Sequence, residues 1–316
     1  MPDNTPPAIL RADAAAIAQA ARRLAAGGLV AVPTETVYGL AARADSDAAV
    51  AAIFRAKGRP DFNPLIVHVS GIGQAGELAV LDGRAWRLAD AFWPGALTLV
   101  LPKQECASLA AAVTAGLSTV ALRCPSHPVM RALLAECGLP LAAPSANRSG
   151  GVSPTSAAHV AASLGGHAGL ILDDGSCAHG IESTIVVLRE TGGWRVLRPG
   201  PITEAQISDI LGTPPDVMTA GGSIEAPGQL ESHYAPGKPM RLEALVAEQG
   251  EFHIGFGAVA GCLNLSSTGD LAEAAARLYA VLHEAAFAPL PRIAVAPIPK
   301  EGIGTAINDR LYRAAA

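Results

Sequence analysis

Aromatic residues make up only 4% of this 316-residue chain and charged residues only 16%. Half of the residues are hydrophobic, and that weight falls on Ala, Val and Leu, so the interior has to be filled by many small side chains in close contact. Positive charge is in deficit: 23 Lys and Arg against 28 Asp and Glu leave a formal net charge of −5. Proteins that hold nucleic acid by its phosphates carry a basic surplus, so stable non-specific RNA or DNA binding is not expected as the main task. No apolar run approaches the ~20 residues that span a bilayer, and MPDNTPPAILRADAA lacks the basic and apolar regions of a secretory signal. The five cysteines, Cys106, Cys124, Cys137, Cys177 and Cys262, are odd in number and show no CxxC or zinc-like spacing. They read as separate thiols in a reducing compartment. A cytoplasmic protein with no membrane contact is expected.

Familiar catalytic signatures are missing as well. No glycine loop ends in Lys followed by Ser or Thr, so there is no phosphate loop of that type. Gly255-x-Gly257-x-x-Ala260 follows FHIGF but runs into CLNLSS instead of a helix, and it reads as a turn. His283-Glu284 opens an HExxH pattern, but Phe287 stands where the second histidine belongs. There is no GxSxG elbow, and the eight histidines are scattered. No metal-ligand set is expected.

What is present is alternation of helical and strand-like segments. Asp13 can cap a helix that Gly27 and Gly28 end, and Asp45 or Ser46 can open DAAVAAIFRAK, which Gly58 stops. Between such helices lie short apolar strands: LVAVP, PLIVHV, LTLVLP, STVALR, LPLAAPSA and GLILDD. ESTIVVLR and WRVLRPG, joined by a GG turn, read as a hairpin. The pattern predicts an α/β domain over 1–212 with a twisted mixed sheet and surrounding helices. Residues 213–239 are rich in Pro and Gly with no period, and read as a linker or a lid over a site. A second, small α/β domain follows over 240–316, near the size at which a core alone is marginal.

Loops leaving the strand ends of such sheets converge on one crevice. Here those ends carry polar groups. Thr36 follows LVAVP, His68 sits in PLIVHV, Arg123 ends TVALR, Ser145 and Asn147 follow PLAAP, Ser183 opens ESTIVV and Arg198 ends RVLR. Lys57, Arg59 and Asn63 stand in KGRPDFNP. Taken singly, each is a plausible cap, turn hydroxyl or surface ion pair. Taken together, four fixed cations with Thr36, Asn63, Thr119, Ser145, Asn147, Ser153 and Ser183 describe a site for a polyphosphate beside a second small anionic or zwitterionic ligand. No paired buried carboxylates and no nucleophile–base pair stand out, which favours positioning and charge neutralisation over covalent catalysis.

In order, PTETVYGL (33–40), KGRP…NPLIVHV (57–69), WPGALTLVL (93–101), STVALRCPSHP (118–128), PLAAPSANRSGGVSPT (140–155), GIESTIVV (180–187) and RPGPIT (198–203) resemble the YrdC-like domain family. PGQLESHYAPGKP and the segment after it resemble the longer, two-domain threonylcarbamoyl-AMP synthases, whose second domain is Rossmann-like. The resemblance implies a nucleotidyltransferase that condenses L-threonine, bicarbonate and ATP, taken with Mg²⁺, into threonylcarbamoyl-AMP and pyrophosphate. A separate tRNA threonylcarbamoyl-transferase complex then moves the group to the adenosine beside the anticodon, so tRNA contact is at most weak or transient. Position by position, the resemblance implies threonine binding by Thr36, His68, Arg123, Ala143 and Ser183. It implies ATP binding by Lys57, Arg59, Asn63, Thr119, Ser145, Asn147, Ser153, Arg198 and Tyr234, with Lys57, Arg59 and Asn147 as catalytic groups. Glu231 stands where some relatives carry a tyrosine that reaches the ATP site, leaving open whether Glu231, His233 or Tyr234 does so here. Two rival readings are a carbamoyl transferase of hydrogenase-maturation type and an RNA-binding or ribosome-assembly module. The first needs a zinc module that the cysteine spacing does not offer, and the second a basic surplus.

Overall fold

The computed structural model describes residues 7–60, 62–216, 225–227 and 233–316. The first domain runs β1 (Ala8–Arg11), α1 (Ala14–Ala25), β2 (Val30–Val32), β3 (Gly39–Arg43), α2 (Asp47–Lys57), β4 (Ile66–His68), α3 (Ile72–Leu78), α4 (Gly83–Phe92), β5 (Leu97–Pro102) and α5 (Ala111–Thr114). It continues with β6 (Thr119–Arg123), α6 (Pro128–Cys137), β7 (Leu141–Ala142), α7 (Ala157–Leu164), β8 (Leu170–Asp173), β9 (Thr184–Leu188), β10 (Trp194–Arg198) and α8 (Glu204–Leu211). Local chemistry explains the helix ends. The Asp13 carboxylate accepts from the Ala16 amide at 2.8 Å, Ser46 caps α2, and Gly58 closes it in the left-handed region at φ 59°. Thr203 and Gln206 form a reciprocal capping box on α8.

The strands form one ten-stranded mixed sheet in the order β1-β8-β2-β3-β7-β4-β6-β5-β9-β10. β9 and β10 pair antiparallel, as the hairpin reading expects. The sheet places β4 parallel to β6, and β5 parallel to β9. One face packs on the main core, where Leu65, Val67, Leu99, Leu122, Val186 and Trp194 meet helix residues such as Ile53, Leu88 and Ile207. On the opposite face, α1 and α6 cover the half containing β2 and β8. The other half of that face, built of Ile66, Val100, Ala121, Ile185, Val187 and Leu197, is met among the described residues by Ala226 of the linker and by no helix. That half is where a ligand site can open.

The second domain holds β11 (Met240–Arg241), β12 (Glu251–Gly255), β13 (Leu263–Asn264), α9 (Leu271–Phe287), β14 (Arg292–Val295) and α10 (Gly304–Ala315). Its four strands are all parallel, in the order β11-β14-β12-β13. The Gly255–Ala260 stretch is a turn between β12 and β13, with no helix behind it. The two domains share a core, because Val37, Val152, Ile181 and Tyr234 cluster with Ala275, Leu278, Leu282 and Ile307 from α9 and α10. No helix among the described residues is long and apolar enough to cross a membrane.

Gly180 shows how close this contact is. Its φ is +68°, and a Cβ there would lie 2.4 Å from the Ala276 carbonyl oxygen and 2.5 Å from that of Ala275, both on α9. Gly27 has φ +83° with open space around it. Gly27→Ala should therefore cost only the left-handed backbone strain, about 1–2 kcal/mol. Gly180→Ala should cost clearly more and lower the urea midpoint further, because α9 must move off the first domain.

Candidate functional site

The site forms where the strand face without a helix reaches the strand ends. His68 and Arg123 are the last residues of β4 and β6, and the parallel register makes them Cα partners. Their side chains leave the same face, together with Ala143 after β7 and Ser183 before β9. Regular alternation along β10 would turn Arg198 away from this face, since Leu197 already points to it. A β-bulge between Val196 and Arg198 shifts the register and sets Arg198 opposite Ile185. Bulges re-aim side chains in this way beside functional sites.

The resulting crevice encloses about 570 Å³ of empty space, its open mouth included. Thr36, His68, Arg123, Ala143 and Ser183 line it, and so do Arg59, Ser145, Arg198 and Tyr234. Thr34, Glu182, Pro227 and His233 line it too. Pro227, His233 and Tyr234 belong to the linker, which therefore lies against the site. Glu225 anchors the linker through ion pairs with Arg189 and Arg195. Glu231 lies outside the described residues.

One end of the crevice carries balanced charge. Arg123 donates to Glu35 at 2.6 Å and to the Thr36 hydroxyl at 2.8 Å, and Thr36 is hydrogen-bonded to Thr34 at 2.9 Å. Burial raises the Glu35 carboxyl, but the charge and hydrogen bond of Arg123 overcome this and hold it at about 2. Burial, with Arg123 nearby, pushes His68 down to about 3. His68 is thus neutral, and its Nδ1 has no hydrogen-bond partner among the described residues.

The other end carries cations that form no ion pair with a carboxylate among the described residues. Arg59 donates to the Pro64 carbonyl at 3.0 Å. Arg198 donates to the Ser183 carbonyl at 3.1 and 3.0 Å and to its hydroxyl at 3.2 Å. Neither arginine has an ion-pair partner among the described residues. Burial brings Arg59 down to about 10, so it stays charged at neutral pH. Glu182 is the one carboxylate on the wall among the described residues, and it is already engaged. It accepts from Ser153 at 2.6 Å, Tyr279 at 2.8 Å and Arg310 at 3.0 Å.

Five residues assigned to the site from the sequence do not line this crevice. Lys57 donates to the carbonyls of Ser145 and Asn147, both at 2.5 Å. Asn147 donates to the carbonyls of Arg148 and Gly151, both at 2.8 Å. They brace the wall that carries Ser145. Ser153 reaches the site through Glu182, and Asn63 is buried with its Oδ1 unpaired among the described residues. Thr119 opens β6 and shares the face of Arg123 by the two-residue period, about 13 Å away along the strand. The reading of the sequence missed Glu35, Glu182, Tyr279 and Arg310. Each acid has its cation 88 or 128 positions away, so spacing offered no sign. An acid inside an otherwise apolar strand-end motif, which is rarely buried unpaired, was the available clue.

Fold and crevice together define a two-domain α/β protein with a ligand site on the bare half of its large sheet. A family profile covering Sua5, YciO and YrdC, described as "Telomere recombination", matches residues 22–200. A second, described as "Threonylcarbamoyl-AMP synthase, C-terminal domain", matches residues 202–316. The chain belongs to the Sua5/YciO/YrdC family, in the two-domain form. It is 42% identical to the threonylcarbamoyl-AMP synthase of Bacillus subtilis (strain 168), over 95% of this chain and 92% of that one. It is 38% identical to that of Pyrococcus abyssi, over 91% and 90%. The crystal structure of P. abyssi Sua5 complexed with L-threonine superposes with a TM-score of 0.88 at 35% identity, covering 98% of this chain and 97% of that chain.

Burial also raises the Glu182 carboxyl, and Arg310, Arg198 and the Ser153 hydroxyl bring it back down to about 2. Glu35 and Glu182 thus both sit below the ordinary 4.5. Their ion pairs add stability that is complete above pH 4.5 and is lost as the pH falls through 2, roughly 3 kcal/mol each. Thermal unfolding midpoints measured from pH 5 to 2 should fall steeply, and Glu35→Gln should flatten the slope. A level wild-type profile would contradict the pairing.

Proposed function

We propose that the chain is an L-threonylcarbamoyladenylate synthase, a nucleotidyltransferase that joins L-threonine, bicarbonate and ATP into threonylcarbamoyl-AMP and releases pyrophosphate. The observation that carries this reading is the split of charge along one crevice. A zwitterion such as threonine suits the balanced Arg123–Glu35 end, and a polyphosphate suits the Arg59 and Arg198 end. The names of the two relatives and the threonine complex of the P. abyssi protein support it.

In this mechanism Arg123 holds the threonine carboxylate, while Thr36, His68 and Ser183 orient the amine and hydroxyl, with the Ala143 backbone beside them. With its value near 3, His68 accepts a hydrogen bond but is too weak a base to hold the amine's proton at neutral pH. The free amine attacks bicarbonate, water leaves, and a carbamate forms. A carbamate oxygen then attacks the α-phosphorus and pyrophosphate departs, its charge met by Arg59 and Arg198. Lys57 and Asn147 act by holding the Ser145 loop. The strip Ile66–Ala121–Val100–Val187, between Arg123 and Thr119, offers an apolar bed for the adenine. Pro227, His233 and Tyr234 cover the carbamate from water.

Among the described residues, no group of three His, Cys, Asp or Glu is placed to hold a metal, and Glu182 is already engaged. Magnesium would arrive on the ATP phosphates as part of the substrate. The product would pass to a tRNA threonylcarbamoyl-transferase complex in the cytoplasm, with tRNA contact weak or transient. An RNA-binding module is not favoured at a net charge of −5, nor is a carbamoyl transferase without zinc-like cysteine spacing.

Protein mixed with Mg·ATP and bicarbonate should release pyrophosphate only when L-threonine is added. Release that ignores threonine would sink the reading. Arg123→Ala should raise the KM for threonine by about 100-fold, the worth of a charge-assisted bidentate contact, and that for ATP by less than about threefold. Equal losses would refute the role given to Arg123.

A further inference from the structure

We propose that Arg310, on the last helix of the second domain, is a positioning residue for the nucleotide end of the crevice, and that it acts by neutralising Glu182 from behind. The proposal rests on the assignment of Arg59 and Arg198 to the ATP phosphates.

Arg310 has no exposed surface. Its Nε donates to Glu182 Oε2 at 3.0 Å and its Nη1 to Asp309 at 2.7 Å, while Nη2 has no hydrogen-bond partner among the described residues. Stability alone does not call for such an arrangement. A buried ion pair is often matched or bettered by apolar side chains of the same volume, and an unpaired buried donor is costly. The geometry supplies a different reason. Glu182 stands on the crevice wall directly before Ser183, whose carbonyl and hydroxyl receive the guanidinium of Arg198. Glu182 and Arg198 already attract each other electrostatically. If the charge on Glu182 were not met by Arg310 and by the Tyr279 hydroxyl, it would draw Arg198 onto itself. An arginine paired with a buried carboxylate is lost to a phosphate. With Arg310 in place, Arg198 needs no carboxylate and faces the ligand.

The same helix also holds the linker. The Arg310 guanidinium lies 5.5 Å from the centre of the Tyr234 ring, and the His233 amide donates to the Arg313 carbonyl at 3.1 Å. Tyr234 has a left-handed φ of 67°, a backbone state that a non-glycine residue keeps only when its surroundings enforce it. Arg310 from α10 and Tyr279 from α9 supply that enforcement, since Tyr279 stacks on Tyr234 at 5.5 Å. The second domain thus contributes to the site without presenting a catalytic group to it.

The test is a charge-rescue series read by calorimetric binding of ATP and of L-threonine, alongside kcat and KM. Arg310→Met should weaken ATP binding by about tenfold or more, the usual effect of an uncompensated buried charge, with threonine binding changed less than about threefold. Adding Glu182→Gln to that variant should tighten ATP binding again, because the group that captures Arg198 is gone. Tyr279→Phe, which keeps the ring and removes one hydrogen bond to Glu182, should shift ATP binding in the same direction by a smaller factor, and it serves if Arg310→Met does not fold. Equal weakening of both ligands, or no recovery in the double variant, would overturn the proposal. A wild-type protein that binds both ligands but releases no pyrophosphate would end the synthase reading while the binding ratios still decide the role of Arg310. A wild-type protein that binds no ATP would end both.

Discussion

The Glu182–Arg310 ion pair lies where three parts of the chain meet: the wall of the crevice, the last helix, and the linker that carries Tyr234. Glu182, Arg310 and Tyr234 are all buried where these parts meet, so the charge on Glu182 has to be met by protein groups. Ser153, Tyr279 and Arg310 meet it, and each belongs to a different segment. Fixing one carboxylate therefore fixes the 151–155 loop, the face of α9 and the face of α10 against one another. The close contact of Gly180 with α9 follows from the same demand. A bulkier residue there would open a gap through which water could reach the pair.

Glu35 and Arg123 repeat this logic at the other end, with a different result. Glu35 belongs to the crevice's own domain and leaves Arg123 with a balanced partner in place. A ligand carboxylate meeting Arg123 joins an existing pair, and a ligand ammonium nearby restores the balance. Arg59 and Arg198 have no such partner among the described residues, so a ligand bringing several negative charges is favoured there. The two ends are told apart by which arginines have been given carboxylates and not by their number.

Much of this arrangement was legible in the sequence wherever the cause is local. Asp13, Ser46 and Gly58 act within four residues of themselves, and their helices begin or end as read. The strand-end polar groups also stood out, because their loops follow recognisable apolar runs. β3 was not legible as a strand. GLAAR has no strong strand preference, and it pairs because β2 and β7 lie alongside. The bulge that turns Arg198 inward was equally hidden, since it is a matter of register between two strands. Lys57 is the instructive case. Its place in KGRP suggested a phosphate ligand, yet its ammonium is used on carbonyls 88 and 90 residues further on. A motif shows that a lysine is needed at a position. It does not show which acceptor needs it.

The alanine-rich composition bears on the same point. Small side chains let α9 approach the 180–182 turn closely enough for its Ala275 and Ala276 carbonyls to exclude a Cβ. That approach brings Tyr279 within hydrogen-bonding reach of Glu182. A chain richer in large side chains would hold its helices farther from the sheet and leave the carboxylate to water. Glu182 would then be solvated without help from the second domain, and Arg198 would face a screened charge. The buried pair, the shared core and the scarcity of bulky residues are thus parts of one solution to keeping a wall carboxylate away from a ligand arginine.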